Sequence, residues 1–160
     1  MDSGFLHQWS DFFVAQAGAS AALAGLLFVA VSINLGRILQ YPHLPTRAIE
    51  ALVTILAVLV MSTWALVPGQ SLFAFGLEVA STGVVVWIIQ CVGLRRTRQS
   101  GYEHALRFFF NQSPPIPFVI GGVLVCLGRP DGIYWMVPGT LLCILSSVYS
   151  AWVLLVEIQR

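Results

Sequence analysis

The sequence predicts an all-α fold, a polytopic membrane bundle of five transmembrane helices, from two observations. First, 58% of its 160 residues are hydrophobic and only 9% are charged, which leaves too few polar groups to cover a water-soluble core. Second, nearly all of the charges lie between five long apolar stretches. We therefore expect a single transmembrane domain over residues 1–160.

Four of the apolar stretches have the length of a membrane-spanning helix. Crossing about 30 Å of hydrocarbon takes about 20 predominantly apolar residues. The four predicted spans run from Phe12 to Leu39, from Arg47 to Val67, from Ser71 to Leu94 and from Ile133 to Glu157. Each is bounded by charged, proline or glycine residues, which agrees with loops between spans.

The remaining span, residues 114–128, is predicted to be short. Its apolar part, Ile116 to Gly128, would form only about 20 Å of helix. Pro114, Pro115 and Pro117 stand at its start, and proline inside a helix removes a hydrogen bond and kinks it. We expect an interfacial helix over residues 102–111 that leads into a short, kinked fourth span. A re-entrant loop is the alternative.

The arginines predict the orientation, because the chain has no lysine. Six of the eight basic residues lie in the loops after the first and third spans, and the positive-inside rule makes these loops cytoplasmic. The N-terminus is then outside and the C-terminus in the cytoplasm. We expect no cleaved signal peptide, because the acidic N-terminus lacks the basic flank that such a peptide carries.

The loop after the third span is basic and aromatic. It would bind the anionic head groups of membrane lipids at the cytoplasmic face, with a partner protein as the alternative. A net charge of only +1 makes nucleic acid a poor partner. The basic residues of this segment are Arg95, Arg96, Arg98 and Arg107.

The chain lacks the residue patterns of intramembrane enzymes. No histidine lies inside a predicted span, so a serine there has no histidine base, and no His-Glu-x-x-His or glycine-rich phosphate motif occurs. We expect no enzymatic activity, no cofactor and no metal. Cys91, Cys126 and Cys143 are interpreted as small packing residues.

The first span is rich in small residues, which make up nine of the eleven residues 15–25. Small residues four apart let helix backbones approach closely in a membrane. Gly18 with Ala22 and Ala21 with Gly25 form two such pairs on different faces. We therefore expect this helix to be central, either within the protomer or at the axis of a homo-oligomer.

Glu78 is the most informative single residue, because it is an ionisable group about 10 Å along the third span. Ser81 and Thr82 share its face of the helix. Gln16 and Ser20 in the first span have a similar predicted depth, so all four could contribute to one site. Either Glu78 is a neutral structural carboxyl that is hydrogen-bonded to a serine or a glutamine, or it is a functional group that is protonated or is ionised beside water or a cation.

A second polar group is predicted toward the cytoplasmic side of the spans. Within it, Glu50 is expected to pair with Arg47 or Arg37 at the membrane interface. Serines there can line a polar path or simply join helices by hydrogen bonds. The group consists of Ser32, Asn34, Glu50, Thr54, Gln90, Ser146, Ser147 and Ser150.

Three segments, Gly25–Leu39, Leu44–Glu50 and Leu66–Gln70, give the chain a resemblance to a group of small multi-pass bacterial inner-membrane proteins. The likeness covers roughly residues 16 to 94, and that group has no established activity. The resemblance implies a location in the bacterial plasma membrane. It assigns no site residue.

These observations lead to two hypotheses about function. The first is a homo-oligomeric channel or transport protein for cations or protons, in which Glu78 selects the ion and Gln16, Ser20, Ser81 and Thr82 line its route. The second is a non-conducting accessory or regulatory subunit of a larger membrane complex. It would dock through the first span and use the basic loop for a cytoplasmic partner.

Overall fold

The computed structural model describes residues 3–41, 44–96 and 112–159, and side chains within 6–41, 44–95 and 112–152. All of the regular structure in these ranges is helical. The elements are α1 (Ser3–Gln8), α2 (Ser10–Ile33), α3 (Leu35–Ile38), α4 (Leu44–Ala65), α5 (Leu72–Arg96), α6 (Pro115–Cys126), a 3₁₀ helix (Pro130–Trp135) and α7 (Met136–Gln159).

Four helical segments are long and apolar enough to cross a membrane, so the chain is a multi-pass membrane protein. They are Ser10–Ile33, Leu44–Ala65, Leu72–Arg95 and Pro130–Trp152. These segments confirm four long apolar helices at the predicted places. The bounds differ most in the first span, which was predicted to reach Leu39.

The first long helix ends early at Asn34. Its side-chain Nδ2 donates a hydrogen bond to the Ala30 carbonyl at 2.9 Å, and its backbone leaves the helical region before the single turn of α3. Asparagine side chains compete with backbone hydrogen bonds in this way. Hydropathy alone could not place this break, because apolar residues continue on both sides of it.

The predicted fourth span is a helix of 12 residues, α6, or about 18 Å. No proline lies in the interior of α6, and the kink predicted between the interfacial helix and this span falls at the edge of the described residues, so it stays a prediction. Pro115 and Pro117 occupy the start of the helix, where a missing N–H costs nothing. Gly128, with φ of 77°, ends the segment beyond α6 in the left-handed conformation that glycine favours. The predicted interfacial helix, residues 102–111, lies outside the described residues.

Helix α6 lies antiparallel to α5 along most of its own length. Before its first turn, Gln112 Oε1 accepts a hydrogen bond from Trp87 Nε1 at 2.6 Å and lies 3.6 Å from Cys91 Sγ. At its other end, Cys126 Sγ lies 3.7 Å from the Phe73 carbonyl. The start of α6 is therefore beside the second half of α5, and its end is beside the first turn of α5.

Glycines bring α5 and α6 into backbone contact. A Cβ atom added at Gly122 would lie 2.6 Å from the Ala80 nitrogen and 2.7 Å from the Gly76 oxygen. One added at Gly83 would lie 2.9 Å from Val119 Cγ2. This is the close packing of small residues that the sequence predicted for the first span, and the structure places it between α5 and α6.

The central helix is α4, which packs against α2, α5 and α7. Within the apolar segment of 18 residues in each helix, 56% of the residues are buried in α4 and 17% are buried in α2. The expectation that the first span is central within the protomer is therefore wrong. The buried side of α2 carries Phe13, Ser20 and Leu27. The small residues Gly18, Ala21, Ala22 and Gly25 lie on the other side and are all exposed on the protomer.

Candidate functional sites: two polar clusters between the helices

Two polar clusters lie at opposite ends of the helix bundle. We call the end that contains the α4–α5 connection, residues 66–71, the turn end, and the opposite end, where Leu44 begins α4 and Arg95 ends the apolar part of α5, the arginine end. Glu78 lies in the second turn of α5, near the turn end. Glu50 lies in the second turn of α4, near the arginine end.

At the turn end, the carboxylate of Glu78 is hydrogen-bonded by Gln70. The Gln70 Nε2 donates to Glu78 Oε2, and the Glu78 side chain is half-buried. Among the described residues no basic side chain forms an ion pair with it. The sequence analysis did not identify Gln70, which precedes Glu78 by eight residues and reaches it from the connection between the helices.

Ser81 and Thr82, the predicted neighbours of Glu78 on α5, form no hydrogen bond with its carboxylate. Ser81 Oγ and Thr82 Oγ1 each donate to the Glu78 backbone carbonyl at 2.9 Å. Serine and threonine hydroxyls commonly bond within their own helix in this way. Ser81 is exposed and Thr82 is half-buried, so the polar face continues to the surface of the protomer.

The predicted contributors on α2 form a pair of their own. Ser20 is fully buried, and its Oγ donates to the Gln16 carbonyl at 2.6 Å. The buried Oε1 of Gln16 has no hydrogen-bond partner among the described residues. No hydrogen bond between the described side chains joins either residue to Glu78, so the five predicted residues form two groups.

A cavity of about 300 Å³ opens at the turn end, between the first residues of the chain and the α4–α5 connection. Its walls are mostly apolar, and His7, Ser10 and Gln70 supply its polar side chains. The cavity adjoins the C-terminal end of α4, where backbone carbonyls carry partial negative charge. Gln70 thus belongs both to the cavity wall and to the hydrogen bond with Glu78.

At the arginine end, the second cluster joins α4, α5 and α7. Gln90 Nε2 donates to Thr54 Oγ1 at 3.0 Å, and Thr54 Oγ1 donates to the Glu50 carbonyl at 2.7 Å. Ser147 Oγ donates to the Ala51 carbonyl at 3.3 Å. The exposed fraction of each of the four polar residues is 4% or less, so this cluster is sealed inside the bundle.

Gly93 makes room for the carboxyl group of Glu50. A Cβ atom at Gly93 would overlap Glu50 Oε1, would lie 2.9 Å from its Cδ and would lie 3.2 Å from Thr46 Cγ2. Any side chain on α5 at this height would therefore move the carboxyl group. Glycine at this position fixes where the acidic group of the cluster lies.

The predicted cytoplasmic polar group is only partly brought together. Glu50, Thr54, Gln90, Ser146 and Ser147 are buried in the helix interfaces. The others lie apart: Ser32 is exposed, Asn34 bonds to its own helix, and Ser150 is half-buried. The expected pairing of Glu50 with Arg47 or Arg37 stays a prediction.

The basic segment after α5 is described only at its beginning. Arg95 is exposed at the end of α5, which agrees with a side chain available to lipid head groups. The side chains of Arg96, Arg98 and Arg107 lie outside the described residues.

Comparison with protein-family models, with curated proteins and with solved structures finds no match. The resemblance to small bacterial inner-membrane proteins therefore stays a prediction.

Proposed function

We propose that this protein moves protons or small cations across the bacterial plasma membrane as a homo-oligomer, with Glu78 as the ion-binding carboxylate. The observation that carries this proposal is the environment of Glu78. It lies in an apolar spanning helix, and its hydrogen-bond partner is the neutral amide of Gln70 rather than a basic group. A carboxylate in an apolar environment is costly in free energy, and binding of a cation, a proton or water stabilises it.

Further polar residues support a route between the two ends of the bundle. Ser62 on α4 and Thr140 on α7 have exposed fractions of 1% and 3%. Each lies along its helix between the turn end and the arginine-end cluster. These two buried hydroxyls would be polar groups along a route between Glu78 and Glu50 through an otherwise apolar interior.

The membrane topology that goes with this function has five crossings. Because α6 begins beside Trp87 and ends beside Phe73, it runs from the arginine side of α5 to the turn end. A re-entrant segment would instead return to the side from which it started. The positive-inside rule then puts the arginine end and the C-terminus in the cytoplasm, and the N-terminus outside.

The exposed face of α2 supports assembly with further copies of the chain. Gly18 and Gly25 have nothing within 4 Å of an added Cβ, and Ala22 between them is exposed. Small residues at these spacings allow close approach of a second helix. Contact through this face would bring copies of the chain together in the membrane.

The first test is ion flux through the purified protein in liposomes, with Glu78→Gln compared with the unchanged sequence. Since the amide keeps the size of the side chain but cannot bear the negative charge, we expect flux of cations or protons to be lost. Thr63→Ala is the matched control: its hydroxyl donates to the Leu59 carbonyl of its own helix, and it is not among the residues predicted to line the route, so flux should be retained. Reduced stability of Glu78→Gln with unchanged flux would contradict the role of Glu78.

A non-conducting accessory or regulatory subunit is the second candidate, and the exposed small face of α2 favours it equally. That face would then contact a helix of another membrane protein. Purification from native membranes distinguishes the two functions. An accessory subunit brings a stoichiometric partner that Gly18→Leu releases, and it gives no flux in liposomes at any pH or with any ion tested.

A further inference from the structure

An apolar groove of about 260 Å³ lies on the outside of the bundle between α2 and α7. Both helices pack against α4, and Ile55 of α4 forms the bottom of the groove. Leu26 on the α2 edge and Val148 on the α7 edge are exposed. The groove is therefore open to whatever surrounds the protein in the membrane.

Small side chains leave the room for this groove. Ala30 on α2, and Ser147 and Ala151 on α7, line it where larger residues would fill it. Among the described residues that line it, Ser147 alone has a polar side chain, and its hydroxyl donates to the Ala51 carbonyl. The groove thus suits a hydrocarbon. A helix with its side chains is about 10–12 Å across, which is too wide to enter, whereas a single acyl chain is slender enough.

The groove lies in the half of the bundle near the arginine end. On α2 it extends from Leu23 to Ala30, and the helix ends three residues later. Arg37 is exposed in α3, seven residues or about 10 Å beyond Ala30. The head-group layer on each side of a bilayer is about 5–8 Å thick. A lipid whose acyl chain lies in the groove therefore has its phosphate near the height of Arg37.

Arg37 also lies on the groove side of the chain. Ile38 is buried and packs with Leu44 of α4, so α3 keeps the same side toward α4 as α2 does, despite the break between them. Arg37 stands to Ile38 as Leu26 stands to the buried Leu27, because eleven residues are about three turns of helix. Leu26 forms the groove edge, so Arg37 continues that edge toward the membrane surface.

The chemistry of Arg37 fits a phosphate group. A guanidinium group has five N–H donors and binds phosphate oxygens in pairs. Arg37 also interacts within the protein, and this number of donors allows both contacts at once. Arginine stays charged in proteins, so the contact does not depend on a titration. The positive charge at the end of an apolar groove complements a negatively charged head group above an acyl chain.

We propose that the groove between α2 and α7 binds one acyl chain of an anionic phospholipid, and that Arg37 binds the phosphate of the same lipid. This site is separate from the basic segment that follows α5, since it combines a groove of defined size with one arginine. It goes beyond the proposed function, because a bound lipid requires neither ion flux nor a partner protein. It also holds whichever side of the membrane the arginine end faces.

Native mass spectrometry tests whether the groove holds the lipid. The protein is extracted into detergent from liposomes of equal parts phosphatidylglycerol and phosphatidylethanolamine, and retained lipids are counted by mass. We expect one phosphatidylglycerol per protomer in preference to phosphatidylethanolamine. Ala30→Leu and Ala151→Leu fill the groove from opposite walls, and each should abolish this retention.

Ala15→Leu is the matched control, because it makes the same change at an exposed position of α2 outside the groove. It should retain the lipid. Circular dichroism of each variant identifies any that fails to fold, and the second groove variant then decides the result. Unchanged retention in a folded groove variant would overturn the proposal. A changed oligomer mass with unchanged lipid would overturn it in favour of an interface between copies.

Arg37→Gln tests the head-group contact. Titration with phosphatidylglycerol should show binding weakened by about fivefold, the effect of about one basic residue near an anionic lipid, and the preference over phosphatidylethanolamine should fall. Arg95→Gln removes an exposed arginine at the same end but on α5, and it should have a much smaller effect. Equal losses in the two variants would mean a general attraction of anionic lipid to a basic surface and would overturn the proposal.

Discussion

At the scale of single residues, Gly93 has a larger role than its lack of a side chain suggests. It lies where a Cβ would collide with the carboxyl group of Glu50. We expect Gly93→Ala to lower the free energy of unfolding by about 1–3 kcal/mol, the usual cost of overpacking. In a Glu50→Ala background the same substitution should cost much less. The measurement is a double-mutant cycle of unfolding in lipid or detergent.

The control for this cycle is Gly36→Ala, because nothing lies within 4 Å of a Cβ at that position. Equal costs of Gly93→Ala with and without Glu50 would contradict a direct contact. Residues in contact typically show an interaction energy of about 0.5–3 kcal/mol in such cycles. A value near zero would mean that the carboxyl group lies elsewhere.

The sequence predicted the acidic residues better than their partners. Glu78 and Glu50 were identified because a charge within or beside an apolar stretch is visible in one dimension. Gly93 was missed because its role follows from the register between α4 and α5, and Gln70 because its role follows from the contact of the connection with α5. A glutamine in a connection and a glycine in a helix have many ordinary explanations until that register is known.

At the scale of helices, the closest packing lies between α5 and α6. We expect Gly122→Ala to lower the free energy of unfolding by about 1–3 kcal/mol, because its Cβ would meet backbone atoms of α5 that cannot rotate away. Gly25→Ala on the exposed face of α2 should change it by no more than about 0.5 kcal/mol in the isolated protomer. Unfolding measured by steric trapping in bilayers would compare the two.

The result for Gly25→Ala also bears on assembly. If its cost matched that of Gly122→Ala, the face of α2 would be packed against another helix under the conditions of measurement. The sequence favoured α2 for close packing because its small residues are the most numerous. The structure shows that number matters less than position: Gly76, Ala80 and Gly83 are fewer, but they face a partner helix.

At the scale of the whole molecule, the antiparallel arrangement of α5 and α6 supports the proposal that α6 crosses the membrane. The sequence identified all four long apolar helices, since length and hydropathy are sufficient for that. It predicted a short fourth span with a re-entrant loop as the alternative, because the two have the same composition. The structure adds that Gln112 lies beside Trp87 and that Cys126 lies beside Phe73, so the two ends of α6 are at different heights along α5.

Cysteine accessibility tests directly whether α6 crosses the membrane. In a protein whose three native cysteines are replaced by alanine, Arg129→Cys should be labelled by a membrane-impermeant maleimide from the same side as Ser71→Cys, because both lie at the turn end. Gln40→Cys, at the arginine end, should be labelled from the opposite side. All three positions are exposed. The comparison does not depend on which side is the cytoplasm. Labelling of Arg129→Cys together with Gln40→Cys would instead mean that α6 returns to the side from which it entered, and Glu50 and Glu78 would then lie in a four-span bundle.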